Sequence, residues 1–252
     1  MSWCDKLAST PTVGFAFDAH TAPSATLLAA LAPVFDKWVD GDKLEFTVDG
    51  LEPYAATITS NSGFRYSVNH SQLSVEFIHR LKMRPTSAGP PVAELTSTPM
   101  PFTTLLPDVS TRLIEATMLL PEVKTRKLLR VGVVSSTGVD EDLMPPGILR
   151  FINYIGRPWQ GSVGSYNIQI STELGKSSGR TDKCVHFLVK TDNPDQLPLI
   201  KFDWQRWFDP GRAIHPDSLT EILRDAIASA MAYLEDLAEG SRFDENILRT
   251  TA

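Results

Sequence analysis

The sequence predicts an α+β protein of two pseudo-repeated β-α-β(3–4)-α halves, each with an antiparallel sheet and helices on one face. Several short segments alternate apolar and polar residues, which is typical of strands with one buried face. A long amphipathic helix closes the chain. Both halves also run through the same order of elements, opened by Val13-Gly14 and by Val131-Gly132.

The first half, residues 1–122, is predicted to start with a strand at 13–17 and a helix at 22–39 that contains Pro33. Short turns connect the strands that follow, which favours an antiparallel meander. Those strands are predicted at 44–48, 56–58, 64–68 and 73–84. The six prolines between 85 and 107 predict an irregular crossover. A helix is predicted at 108–120, capped by Asp108 or Ser110.

The second half, residues 128–240, repeats this order with one strand fewer. Its elements are predicted as a strand at 128–134, a helix at 146–156, and strands at 166–170, 185–189 and 200–204. Ser218 and Glu221 have the spacing of a capping box, which predicts the start of the long helix. An apolar face continues to Leu237 and Gly240 ends the helix, so residues 241–252 are predicted to be a loosely ordered tail.

The composition of the chain predicts the compartment of the protein and the classes of partner that it does not bind. The 252 residues carry a formal net charge of -6, which lacks the basic footprint of a nucleic-acid-binding protein. Two cysteines form no disulfide framework and fit a reducing compartment. The N-terminus lacks a signal-peptide pattern, and no apolar run approaches the roughly 18 residues of a transmembrane helix. We therefore expect a cytoplasmic protein that binds neither membrane nor nucleic acid.

Motifs for chemistry are missing from the sequence. It contains no Gly-x-Ser-x-Gly elbow, no phosphate-binding loop and no dinucleotide fingerprint. Cys184 and His186 would share one strand face, but two ligands do not make a metal site. We predict no catalytic residue, no metal and no cofactor. An enzyme with dispersed groups is the third hypothesis, with His79, His186, Asp203 and Asp209 as its acid–base candidates.

Aromatic and arginine residues mark the candidate interaction site. Trp and Arg dominate interface hot spots, and they occur together in the segment 203–209. A row of basic residues on the strand 73–84 could meet an anionic partner. The candidates are Trp204, Arg206, Trp207, Trp159, Arg80 and Arg84. The alternatives are that Trp204 lies in the core, that Arg206 pairs with an acid, and that the basic row is a solvated face.

Three segments resemble an uncharacterised, sporadically distributed bacterial protein family of about this chain's length. They are the strand Leu73–Arg84 with its proline-rich crossover, Leu129–Gly132 with the helix that contains Arg150–Ile155, and the long C-terminal helix. The resemblance implies a fold and a bacterial origin, and no activity. The order of elements is also similar to the TATA-binding-protein and helix-grip folds, and a likeness of fold alone fixes no function.

Two functions follow as hypotheses. The first is a non-enzymatic protein-interaction subunit of a bacterial or phage system, such as an antitoxin, an immunity protein or a defence accessory. Its partner would be a protein, in a hetero- or homo-oligomer. The alternative is a small-molecule binder with an apolar cavity between the sheet and the C-terminal helix. The lining expected for that cavity is Tyr66, Phe77, Phe187, Phe202 and Tyr233.

Overall fold

A computed structural model of the chain describes residues 3–6, 10–19, 22–37, 46–60, 62–79, 81–84, 92–95, 100–156, 158, 163–193 and 196–243. The fold is α+β, as the sequence predicts, and its main sheet has nine antiparallel strands. The first half contains α1 (Trp3–Lys6), β1 (Thr12–Phe17), α2 (Ser24–Lys37), β2 (Phe46–Glu52), β3 (Ala55–Ser60), β4 (Phe64–Asn69), β5 (Gln72–Phe77), β6 (Leu81–Arg84), β7 (Val92–Leu95) and α3 (Phe102–Leu119). The second half contains β8 (Lys127–Gly138), α4 (Pro146–Gly156), β9 (Tyr166–Ser177), β10 (Arg180–Lys190), β11 (Leu199–Ala213) and α5 (Pro216–Glu239).

The sheet joins the two halves through their opening strands. Its order is β2-β3-β4-β5-β1-β8-β11-β10-β9, so the first strand of each half pairs with the last main-sheet strand of that half and with the first strand of the other half. The central pair, β1 and β8, is antiparallel and places Gly14 opposite Gly132. The two Val-Gly openings seen in the sequence therefore meet at the middle of one continuous sheet.

The two faces of the sheet differ in burial. In β1 the alternation buries Val13, Phe15 and Phe17 and leaves the residues between them half-buried. The helices α3 and α5 pack against the strands around this centre, and the buried residues form one hydrophobic cluster. The opposite face, which we call the open face, carries half-buried and exposed side chains such as Arg65, Arg130 and Gln205.

The predicted strand 73–84 is divided in the structure. β5 ends at Phe77, which lies opposite Phe64, the first residue of its neighbour β4. The pairing between β4 and β5 therefore stops at this point. The chain continues as β6, which leaves the main sheet and pairs with β7. The prediction of one long strand with a basic row along it was therefore wrong.

The predicted start of the helix at 108–120 was too late. α3 begins at Phe102 instead of residue 108, and Pro107 lies inside it. The buried side chains of Phe102 and Leu105 hold this first part of the helix against the core. Ser110 does not cap α3, because its hydroxyl donates to the carbonyl of Leu106 within the helix.

The capping box predicted at the start of α5 was wrong in its position. α5 begins at Pro216, whose missing N–H suits a first helical turn. Ser218 is thus the third residue of the helix, and its hydroxyl oxygen accepts the backbone N–H of His215 at 3.3 Å.

Candidate functional site

The predicted interaction segment of β11 divides between the two faces of the sheet. Trp204 and Arg206 point toward the helices and are 1% exposed, whereas Trp207 is 39% exposed on the open face. The period-two alternation of a strand produces this division. The structure shows the alternatives: Trp204 belongs to the core and Arg206 pairs with an acid. Neither side chain is therefore exposed to a partner in this fold.

Arg206 connects two strands to α5. Its guanidinium donates to both carboxylate oxygens of Asp182 on β10, at 2.9 and 3.0 Å. It also donates to Asp225 and, at 3.0 Å, to the hydroxyl of Ser229, both on α5. Arg180 adds a second cation to Asp182 at 2.9 Å. Burial alone would raise the pKa of Asp182, but hydrogen bonds and charge from Arg206 and Arg180 outweigh it, so the pKa is lowered.

Trp207 belongs to a polar cluster on the open face. Its indole N–H donates to the side-chain oxygen of Gln205 at 3.0 Å. Arg130, on the adjacent β8, lies over the indole ring with its guanidinium carbon 4.9 Å from the ring centroid. Of the other interaction candidates, Trp159 and Arg80 lie outside the described residues. Arg84 ends β6, and its side chain is likewise outside what is described.

A cavity of about 250 Å³, which we call the inner cavity, lies on the opposite side of the sheet, between the second-half strands and α5. Apolar side chains from five elements form most of its wall. They are Ile148 and Phe151 of α4, Ile170 of β9, Leu188 of β10, Phe202 of β11 and Leu237 of α5. Arg242, 43% exposed and 2.6 Å from Asp236, stands where the cavity reaches the surface.

A chain of polar groups interrupts this apolar wall. Nδ1 of His186 lies 3.1 Å from the carbonyl of Ile170, and Nε2 lies 2.7 Å from the hydroxyl of Tyr233. A carbonyl only accepts, so Nδ1 carries the proton. Burial lowers the pKa of His186, so the ring is neutral at pH 7 and Nε2 accepts a hydrogen bond from the Tyr233 hydroxyl. The Tyr233 oxygen, 3.4 Å from the Thr172 hydroxyl, can then accept a hydrogen bond from a ligand.

Helix α4 lies beside the inner cavity because two glycines allow it to approach α5. A Cβ added at Gly147 would lie 2.4 Å from the carbonyl oxygen of Leu237 and 2.5 Å from the nitrogen of Gly240. Gly240 ends α5 with a φ of 91°, which favours glycine. Arg150 of α4 donates to the carbonyl of Glu239 at 2.7 Å. These contacts fix the position of Ile148 and Phe151 in the cavity wall.

The lining expected from the sequence agrees with this wall only at Phe202 and Tyr233. Tyr66 and Phe77 are buried in the first half, and Phe187 points to the open face, where Lys201 lies 5.4 Å from its ring centroid. The alternation in the sequence marks apolar rows. It does not tell which rows from distant strands lie beside the same helix, so the branched residues of α4, β9 and β10 were missed.

Two of the dispersed acid–base candidates, His186 and Asp203, lie on opposite faces of the sheet. His186 lies on the helix side of the sheet and Asp203 on the open face, because they occupy alternate positions on paired strands. Burial raises the pKa of the Cys184 thiol, and both ring nitrogens of His186 contact protein groups. Within the described ranges no three His, Cys, Asp or Glu side chains are placed to hold a metal ion.

None of the helices in the described ranges combines the length and apolar composition that crossing a membrane requires. Comparison with known proteins found no matching family model, curated protein or solved structure.

Proposed function

We propose that this protein binds a small, mostly apolar molecule in the inner cavity. The observation that carries the proposal is an apolar cavity of about 250 Å³ with one polar chain in its wall. Ligand sites commonly combine apolar lining with a few placed polar groups, and drug-sized ligands occupy roughly 300–1,000 Å³. The volume here suits a smaller compound.

The chemistry of the wall narrows the ligand class. Because the Tyr233 hydroxyl donates its hydrogen bond to His186, its oxygen offers an acceptor to the cavity. A ligand with a hydroxyl or N–H group could donate there while its carbon skeleton contacts Phe151, Ile170 and Phe202. The proposed class is therefore a small aliphatic or aromatic alcohol, or a compound with a single N–H donor.

Ligand binding is tested by thermal unfolding of the full chain with hexan-1-ol, benzyl alcohol and indole as probes. A ligand that binds only the folded state raises the melting temperature, and the rise grows with the logarithm of the ligand concentration once the site is nearly saturated. At least one probe should do so. Mass spectrometry of a denatured extract of the protein from its own source should also show a bound small molecule.

The matched variants are Ile170→Trp and Gln169→Trp. Ile170 lines the cavity, whereas Gln169 is its neighbour on the other side of β9 and is exposed. The larger side chain at position 170 should abolish the probe-induced shift, and the same change at 169 should preserve it. No shift with any probe, together with an empty extract, would refute the proposal.

Trp207 favours a second candidate, a non-enzymatic protein-interaction subunit of a bacterial or phage system. A tryptophan 39% exposed and held by Gln205 and Arg130 has the composition and rigidity of an interface hot spot. The partner would be another protein chain, as an antitoxin, an immunity protein or a defence accessory requires. This candidate is compatible with a ligand in the inner cavity, because the two features lie on opposite faces of the sheet.

The interaction is tested by native mass spectrometry of the protein isolated from its own source without overexpression. A discrete additional mass of protein size is expected, and Trp207→Ala should weaken that complex at least tenfold. Leu197→Ala is the matched control, since Leu197 is an exposed apolar residue away from the cluster. Equal affinity of the two variants would show that Trp207 is not at the interface.

A further inference from the structure

The centre of the open face contains a second, polar pocket of about 200 Å³. Its base is the place where the two halves meet, because Gly14 and Gly132 are paired across β1 and β8 and neither carries a side chain. Ser74 on one side and Arg130, Asp203 and Gln205 on the other contribute its polar walls. The pocket is thus lined by four different strands of both halves.

Two opposite charges line this pocket without pairing. Among the residues that the structure describes, neither Arg130 nor Asp203 has an ion-pair partner within 4.0 Å. Lys201, on the same face of β11, also stays outside this distance from Asp203. Burial raises the pKa of Asp203, and Gln205, Arg130 and Lys201 act against this. The carboxylate is therefore partly desolvated, and no cation among the described residues comes close enough to form an ion pair with it.

Gln205 holds the two charges apart. Its amide nitrogen donates to Oδ2 of Asp203 at 2.8 Å, and its oxygen accepts from Arg130 at 3.4 Å. Trp207 donates to the same oxygen at 3.0 Å and lies under the Arg130 guanidinium. The oxygen of Gln205 and one of its two amide N–H groups are thereby assigned, which leaves Oδ1 of Asp203 and further N–H groups of Arg130 for a ligand.

A single small ligand that pairs with both charges carries one cationic and one anionic group. We propose that this pocket binds a free α-amino acid, with its ammonium group at Asp203 and its carboxylate at Arg130. Charge-assisted hydrogen bonds of this kind are roughly twice as strong as neutral ones, and an arginine suits a carboxylate because its donors match the two oxygens. The volume of about 200 Å³ accommodates a molecule of this size and excludes a drug-sized one. The hydroxyl of Ser74 lies on the far wall, where it can contact a polar side chain of the ligand.

The proposal is tested by isothermal titration of the full chain with each of the twenty free L-amino acids. At least one should bind, and its N-acetyl and carboxamide derivatives should each bind at least tenfold more weakly, because each derivative loses one charge. Binding of a derivative with unchanged affinity would overturn the assignment of the group that it blocks. If none of the twenty binds, the proposal is wrong.

Variants of the pocket give an independent test. Asp203→Asn and Arg130→Gln should each weaken the binding at least tenfold. Gly132→Val should abolish it, because a Cβ there meets only the Trp204 carbonyl oxygen at 4.0 Å and the added carbons enter the pocket. Gly175→Val is the matched control on β9, where nothing lies within 4 Å of an added Cβ. The Ile170→Trp variant should still bind the amino acid, so the two ligand proposals fail or succeed separately.

Discussion

At the scale of single residues, the side of the strand decides the role of each side chain in the segment 203–209. Arg206 and Trp207 are neighbours in sequence and equally typical of interfaces. Arg206 has its guanidinium between Asp182 and Asp225, whereas Trp207 lies on the open face. Removing one partner of a buried ion pair leaves an uncompensated charge, which costs far more than the pair itself contributes.

We therefore expect Arg206→Ala to lower the free energy of unfolding by about 3 kcal/mol, at the lower end of the usual range for a broken buried pair. The lower end applies because Arg180 still pairs with Asp182. Urea denaturation monitored by tryptophan fluorescence measures this change in the free energy of unfolding. Lys183→Ala is the control, since Lys183 and Glu173 are exposed and 3.9 Å apart, and such pairs contribute at most about 1 kcal/mol. Equal losses for the two variants would contradict the structural role of Arg206.

At the scale of elements, the contact between α4 and the end of α5 depends on the absence of side chains at Gly147 and Gly240. In an isolated helix, Gly→Ala stabilises by about 1 kcal/mol because alanine restricts the unfolded chain and favours the helix. At Gly147 the added methyl group would meet backbone atoms of α5, which cannot rotate away. The tertiary contact therefore reverses the sign that helix propensity predicts.

We expect Gly147→Ala to destabilise the protein by about 1–3 kcal/mol, the usual cost of overpacking. The control is Gly175→Ala, where an added Cβ has no neighbour within 4 Å. Thermal denaturation of both variants compares their melting temperatures with that of the wild-type protein. A rise in the melting temperature for Gly147→Ala would mean that α4 does not approach α5 as closely as described.

The sequence predicted α4 with the bounds that the structure has, yet gave no sign of what α4 packs against. The amphipathic spacing of Ile148, Phe151 and Ile152 marks a helix with one apolar side. The packing partner of that side lies some 90 residues later, at Leu237 and Phe243. Local periodicity carries no information on such long-range contacts, so the inner cavity could be placed only roughly, between the sheet and the last helix.

At the scale of the whole molecule, buried ionisable groups make stability depend on pH. Burial lowers the pKa of His186 from its ordinary value of 6.5, so the unfolded chain takes up this proton at a higher pH than the folded one. The neutral ring therefore contributes stability above pH 6.5, and this contribution is lost as the pH falls below it. The pKa of Asp182 is also lowered, so its contribution to stability is likewise lost as the pH falls below its ordinary pKa of 3.8. The pKa of Asp203 is raised, so this group instead lowers stability as the pH rises above that value.

Between pH 6.5 and 5.5 we expect the free energy of unfolding to fall, with a slope of at most about 1.4 kcal/mol per pH unit from His186. Urea denaturation at several pH values measures this slope. His186→Gln removes the titrating ring and should flatten it, whatever its effect on stability at pH 7. An unchanged slope in that variant would show that His186 is not the group responsible.

Apart from α1, β7 and the division between β5 and β6, the sequence by itself determined the class of fold and the order of strands and helices in each half. It could do so because the period-two pattern of strands and the 3.6-residue period of helices are local consequences of which face each element buries. Only the tertiary structure decided that the halves share one sheet through Gly14 and Gly132, and which residues of β11 face the helices. Pairing between distant strands sets both of these. The inner cavity and the polar pocket arise from the same cause, because each is formed by side chains that are far apart in sequence and adjacent only in the folded sheet.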